Sequence, residues 1–390
     1  MAAKRLGKKG IFLTFISLSI IMALLIIFTP SNTNLNVQSE SAKSRVLGVN
    51  EYFFDLKNVY LERTLHATGI KTINALTEYV AANGAFTGIN PGEAELAFNS
   101  TFSKVFLCGK VDDVTNGPVN IADCSGGTPI DLIYDPPNSK PDIMTKTYND
   151  WLDEIRTTAL NAYNVQTDLT IYGIQVYQDE EIKPGYGTNP WVVNVDANIS
   201  ISVYSETASW SENTKVKTKI EIKNFNDPYY LMNTQATGNP YYSKMSKSDT
   251  LIDAWNVGEL GAFIRQGNYT YFGDGKSPSF LMRFIDNQFW YDAANDGKRL
   301  CCGIEGFVNP NEILPASDRD VAVSYIDYLF WRDTPDCDSI PPFVNLYLVE
   351  GLSNEPPPGP PGEFRYLKLN DDQVARYMIP PSELIQVCPT

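Results

Sequence analysis

The sequence predicts an α+β protein with an N-terminal transmembrane helix, a long extracytoplasmic helix packed on an antiparallel sheet, and a less regular, β-rich C-terminal region. Three patterns predict it. Residues 11–28 are an apolar run without charge, residues 44–83 carry apolar positions at helical spacing, and residues 193–203 alternate apolar and polar with a period of two. The expected organisation is a basic head and anchor at 1–30, a hinge and long helix at 31–90, an α+β domain at 91–230 and a C-terminal α+β region at 231–390. The chain has 390 residues, 43% of them hydrophobic and 12% aromatic. That composition excludes a disordered chain.

The anchor comes first. Lys4, Arg5, Lys8 and Lys9 precede the run IFLTFISLSIIMALLIIF, and no acid lies among the first ten residues. A helix of this length spans roughly 27 Å at 1.5 Å per residue, close to the hydrocarbon thickness of a bilayer. Thr14, Ser17 and Ser19 are tolerated in lipid because their hydroxyls bond back to helix carbonyls. A cleaved secretory signal would have an apolar region of about 7–15 residues ending in small side chains. This run ends instead at Ile26-Ile27-Phe28-Thr29-Pro30. Positive charge before the span keeps the N-terminus cytoplasmic and puts the chain from about residue 31 outside. The lipid bilayer is therefore an expected partner through residues 11–28, and the cell membrane the expected location. Removing the basic head leaves 27 basic residues against 46 acidic, a balance of −19. Such a surface excludes nucleic acid, which demands clustered Lys and Arg.

After the polar stretch SNTNLNVQSES, read as a hinge, Val46, Val49, Phe53, Leu56 and Tyr60 are spaced for one helix face. The stripe then shifts to Leu61, Leu65, Ile73, Leu76 and Val80, and Asn83-Gly84 is a stop signal. Gly48 and Gly69 mark expected bends. A second helix is expected from Gly92 to Leu107 and a third from Thr145 to Tyr163. Val193, Val195, Ala197, Ile199, Ile201 and Val203 should face a core, with Asn194, Asp196, Asn198 and Ser200 in water. Val216, Thr218, Ile220 and Ile222 repeat the pattern as a hairpin partner, and Leu169–Tyr172 begins a third strand. The apolar face needs helices to cover it, namely the long helix and the 145–163 helix. Beyond residue 227, short helices are expected at 250–265 and 278–286, and strands near 321–330, 343–349 and 364–369. EPPPGPPG at 355–362 reads as a stiff connector.

Six cysteines, Cys108, Cys124, Cys301, Cys302, Cys337 and Cys388, all lie in the exterior part. An even number outside the cytoplasm suggests disulfides. Cys108–Cys124 closes a short loop and is the expected pair. Adjacent Cys301 and Cys302 should pair elsewhere, with Cys337 and Cys388. Asn99, Asn198 and Asn268 open glycosylation sequons.

Residue counts exclude most catalytic sets. The single histidine, His66, lies in the long helix and reads as a packing or surface residue rather than a ligand. Gly275-Lys276-Ser277 lacks the first glycine of a phosphate loop and reads as a turn. Asp112–Gly117 and Asp292–Gly297 have oxygen ligands but not the spacing of a calcium loop, and read as turns. A carboxylate-based hydrolase needs only two acids facing each other at about 5–9 Å in a cleft. Aromatic groups at Tyr229-Tyr230, Tyr241-Tyr242, Phe289–Tyr291 and Tyr325–Trp331 read as core. No cofactor or metal site is expected.

Lys8-Lys9-Gly10 directly before the apolar run resembles the class III signal of archaeal type IV pilins and archaellins. The resemblance implies cleavage after Gly10, a mature chain beginning at Ile11, and possible self-association through the N-terminal helices. The blocks IEIKNFNDPYYL (220–231), SPSFLMRF (277–284), GIEGFVNP (303–310) and SYIDYLF (324–330) resemble membrane-anchored archaeal surface proteins, a likeness that implies no activity. The expected function is a single-pass cell-surface protein with a structural, adhesive or pilus-like assembly role, not an enzyme. The alternative is an anchored binding module for sugars or peptides, with a carboxylate-based hydrolase behind it.

Overall fold

The structure, a computed structural model, describes residues 35–84, 94–111, 124, 128–129, 146–178, 189–206, 208–234, 241–246, 257–271, 277–285, 303–313, 325–331, 346–349 and 367–386. The anchor segment 11–28, Gly10 and Ile11 lie outside these residues. So do Cys301, Cys302, Cys337 and Cys388, the turns Asp112–Gly117 and Asp292–Gly297, Gly275 and Lys276, Phe289–Tyr291 and the Pro-rich connector. Among the described residues no helix is long and apolar enough to cross a membrane.

The fold is α+β. Helix α1 (Leu35–Asp55) passes through a π-helical turn, Leu56–Tyr60, into α2 (Leu61–Asn83), which ends at Gly84 with φ +85°. The helix begins at Leu35, so most of the expected hinge is helical. The π turn explains the sequence stripe. Val49, Phe53 and Leu56 are buried, Tyr60 is exposed, and Leu61 takes the next buried place. The Leu61 N–H bonds back five residues to the Leu56 carbonyl, so one extra residue is absorbed and the apolar face realigned.

A three-stranded antiparallel sheet stands behind this helix, in the order β3 (Gln166–Tyr177), β4 (Val192–Tyr204), β5 (Ser209–Glu221). Val193, Val195, Ala197, Ile199, Ile201 and Val203 are all buried on one face, as their alternation requires. Helix α2 lies over β5 and β4, α3 (Ala94–Cys108) packs on β3, and α4 (Tyr148–Tyr163) covers β3 from the other end. The covering role of α3 was not read from the sequence. Its Phe98, Phe102 and Phe106 stack down the core onto Tyr148, the last pair at 4.9 Å. A capping box starts α4, with Asp150 N–H donating to Thr147 Oγ1 and Thr147 N–H donating to Asp150 Oδ2.

Two expectations are corrected here. Gly69 marks a close approach rather than a bend: a Cβ there would lie 2.5 Å from Ile220 Cδ1. Asn194 and Asp196 do occupy the outer face of the sheet, but they are 6% and 3% exposed rather than wet. They sit on the central strand, flanked in register by Tyr177 on β3 and by Lys217 and Lys219 on β5. Short side chains between longer neighbours are roofed over.

Cys108, at the end of α3, is disulfide-bonded to Cys124 with Cα atoms 5.4 Å apart. Lys110 Nζ donates to the Cys124 carbonyl at 2.7 Å, and β1 (Lys110–Val111) pairs with β2 (Thr128–Pro129) just beyond. Closing a loop of 16 residues is worth roughly 3 kcal/mol in the chain-entropy account. Replacing both cysteines with serine should lower stability by about that amount, read from the urea midpoint. A double variant with an unchanged midpoint would show that the bond contributes nothing.

Among the described residues, the second half of the chain is built from short pieces. They include α5 (Pro228–Thr234), α6 (Val257–Gln266), the paired strands β6 (Tyr269–Tyr271) and β7 (Ile304–Gly306), a 3₁₀ turn at Leu281–Phe284, and α7 (Asp327–Phe330). A small sheet β10-β8-β9 (Leu384–Gln386, Leu346–Val349, Leu367–Asn370) follows, with α8 (Asp371–Arg376) between β9 and β10. Of the strand expected at 321–330, residues 321–324 lie outside the described residues, and 325–330 do not form one. Ile326 makes a single bridge to Phe307, and the chain then turns into α7, which carries Asp327 inward.

Candidate functional site

The four sequence blocks at 220–231, 277–284, 303–310 and 324–330 meet at one buried point. Asp227, Arg283, Glu305 and Asp327, one charged residue from each block, are all 0% exposed. Arg283 Nη1 donates to Asp227 Oδ2 at 2.8 Å and to Asp327 Oδ2 at 2.7 Å, and its Nη2 donates to the Ile304 carbonyl. The guanidinium lies 5.7 Å from the Tyr269 ring centre. Tyr269 donates its hydroxyl to Asp227 Oδ2 at 2.9 Å and accepts from Ser243 at 2.9 Å. Backbone donors complete the acids: Tyr229 N–H reaches Asp227 Oδ1, and Gly306 N–H reaches Asp327 Oδ2, both at 2.9 Å.

Local structure aims these groups. Asp227 immediately precedes α5, and Asp327 opens α7, so each carboxylate stands at a helix start where backbone N–H groups are unsatisfied. The 3₁₀ turn points Arg283 between them. Gly306 is required because a Cβ there would fall 2.5 Å from Asp327 Oδ2 and 2.7 Å from Tyr269 Cε1. Next to this centre, Glu305 Oε1 accepts from Ser277 at 2.8 Å and Gln373 at 3.1 Å and pairs with Arg376. Helix α8 is thereby tied to β7.

Burial would lower the Arg283 pKa, but Asp227 and Asp327 overcome it and hold the guanidinium charged above its usual range. Burial raises the Tyr269 and Tyr230 phenols well above theirs, and the neighbouring acids add to the effect. The two carboxylate oxygens share one nitrogen, so they are at most 5.5 Å apart. They face a guanidinium rather than a cleft, and none of the three side chains meets solvent. Chemically this is a tie between chain segments. It does not have the open acid pair that glycoside hydrolysis uses.

Of the residues singled out by sequence, Tyr229 and Tyr230 border this centre and the others lie elsewhere. His66 is half-buried on α2, with Nδ1 3.1 Å from Thr218 Oγ1. It lines an open recess of about 880 Å³ with Arg63, Asn194, Asp196, Lys217 and Lys219. Asn99 is half-buried, its Oδ1 accepting from Val176 N–H at 2.6 Å. Asn198 is exposed on the outer sheet face, and Asn268 donates to Gln266 Oε1 at 2.9 Å. Tyr229, Tyr230, Tyr325 and Phe330 are core residues, whereas Tyr242 is exposed. Among the described residues no group of three His, Cys, Asp or Glu is placed to hold a metal ion.

The acids and arginine of the network were missed as individuals. Their signal was a lone charge inside an aromatic or apolar block, as in FLMRF and YIDYLF. No protein-family model matches the chain, and no match was found among curated proteins or solved structures.

Proposed function

We propose that the chain is a single-pass cell-surface protein, held by residues 11–28, whose exterior fold serves a structural, adhesive or pilus-like assembly role. One observation supports this above others. The helix that carries the sheet begins at Leu35, with only residues 29–34 between it and the apolar run, and continues to Asn83. Its length is on the order of 70 Å. Near its start Lys43, Ser44, Arg45, Leu47 and Gly48 are exposed, and the fold grips one face of the helix from Val49 onward. A body mounted on such a helix stands clear of the surface below it.

Two measurements test the reading. Protease added to intact cells should digest the exterior part, and protection until lysis would overturn the topology. Mass spectrometry of the N-terminal peptide should find a mature chain starting at Ile11. A protein that still carries Lys4 and Lys9 would remove the pilin-like assembly role and leave a plain anchor.

A further inference from the structure

We propose that Asn198, in the middle of β4 on the outer sheet face, is the N-glycosylated residue of this chain, and that Asn99 and Asn268 stay bare. The proposal rests on the exterior location of the fold, and the experiment below separates the two.

The three sequons offer the same chemistry. The asparagine amide nitrogen forms a bond to the anomeric carbon of a glycan carried on a lipid phosphate. The bond from that carbon to the phosphate oxygen breaks, the phosphate leaves with the electron pair, and the amide gives up one proton. The motif requires a hydroxyl two residues on. Sequence does not rank the three. The room around each amide and each hydroxyl does.

Asn99 lies inside α3, half-buried, with its Oδ1 held by Val176 N–H at 2.6 Å. Its hydroxyl residue, Thr101, is buried. Asn268 has its amide nitrogen engaged with Gln266 Oε1 at 2.9 Å. Its hydroxyl residue, Thr270, is buried too, and the Oγ1 is sealed from solvent. A glycan at either place would displace packed groups.

Asn198 has the opposite surroundings. It is exposed, and its side chain makes no hydrogen bond among the described residues. Ser200, on the same face, is half-buried. Both neighbours in register leave the amide clear. On β5 the partner is Lys215, whose ammonium turns to Asp196 at 2.7 Å. On β3 the partner is Gly173, where a Cβ would come within 4 Å of Asn198 Nδ2 alone. The φ of Gly173 is not positive, so the backbone does not demand glycine there. Glycine inside a strand weakens it, and it marks a place where something must approach closely. A wet asparagine needs no such gap, whereas an attached glycan does. The register shift at the same point leaves Tyr172 unpaired and 60% exposed beside the gap. Its ring offers a flat apolar surface to the first sugar. Transfer before or after folding gives the same choice, because the finished chain must hold the glycan without losing its core.

The test is mass spectrometry of peptides covering the three sequons, from full-length protein purified out of the cells that make it. The Asn198 peptide should carry the mass of a glycan, and the Asn99 and Asn268 peptides should be unmodified. Ser200→Ala leaves Asn198 in place and should abolish the modification, while Ser200→Thr should retain it. Three results would each overturn the proposal: a bare Asn198 peptide, equal occupancy at Asn99 or Asn268, or a glycan on Asn198 that survives Ser200→Ala. Protease treatment of the same intact cells tells the two failures apart. Digestion of the exterior part with Asn198 bare removes this proposal and leaves the surface-protein reading standing. Protection until lysis removes both.

Discussion

Replacing Arg283 with methionine should cost the fold about 3–5 kcal/mol, a large share of the stability of an ordinary domain. Methionine keeps the unbranched apolar stem but ends about where Nε stands, so the charge is lost and the place of the guanidinium is left empty. Asp227 and Asp327 are then left facing each other within 5.5 Å, both 0% exposed. Two uncompensated buried carboxylates either take up a proton or open the structure to water. The companion variant D227N/R283M/D327N removes all three charges. It should be more stable than R283M alone, because the defect is the unpaired charge rather than the missing guanidinium. Urea denaturation followed by tryptophan fluorescence would measure both. R283M falling within about 1 kcal/mol of the parent chain would show that the network holds nothing together. Gly306→Ala presses on the same point from the backbone side, where a Cβ would meet Asp327 Oδ2 and the Tyr269 ring. Its cost should be about 1–3 kcal/mol, the usual range for overpacking.

Where periodicity governs, the sequence was informative. Strict alternation located the central strand and its buried face, because a period of two admits only one register against a covering helix. The helical stripe located α1 and α2, and its slip from Tyr60 to Leu61 marked the π turn, though the slip alone does not show how the backbone absorbs it. Two kinds of feature were not legible. Burial of Asn194 and Asp196 depends on which residues flank them across strands, and that is fixed by register rather than by local pattern. The Asp227–Arg283–Asp327 tie joins residues up to 100 positions apart, and no local spacing encodes such a meeting.

Alkali should unfold the protein in a cooperative step above pH 10. Tyr148, Tyr230 and Tyr269 are 0%, 2% and 0% exposed. Burial raises all three phenol pKa values, Asp327 and Asp227 raise that of Tyr230 further, and Asp227 does the same for Tyr269. In the unfolded chain a tyrosine titrates near 10. Below that pH both states keep their phenolic protons, and these residues add no pH dependence. Above it the unfolded state loses protons that the folded state retains, so stability falls as pH rises toward the folded values. Each tyrosine contributes about a tenfold change in the folding equilibrium per pH unit, and three together remove roughly 4 kcal/mol per unit. Tyrosinate absorbance and far-UV circular dichroism should be recorded on the same pH series. The buried tyrosines should ionise in a step that coincides with loss of the dichroic signal. Tyr230→Phe removes one titrating group at the cost of a single 3.3 Å bond to the Phe307 carbonyl, and should move the step to higher pH. A single smooth titration near 10 with the dichroic signal intact would mean that these phenols meet solvent, and that the core drawn around them is wrong.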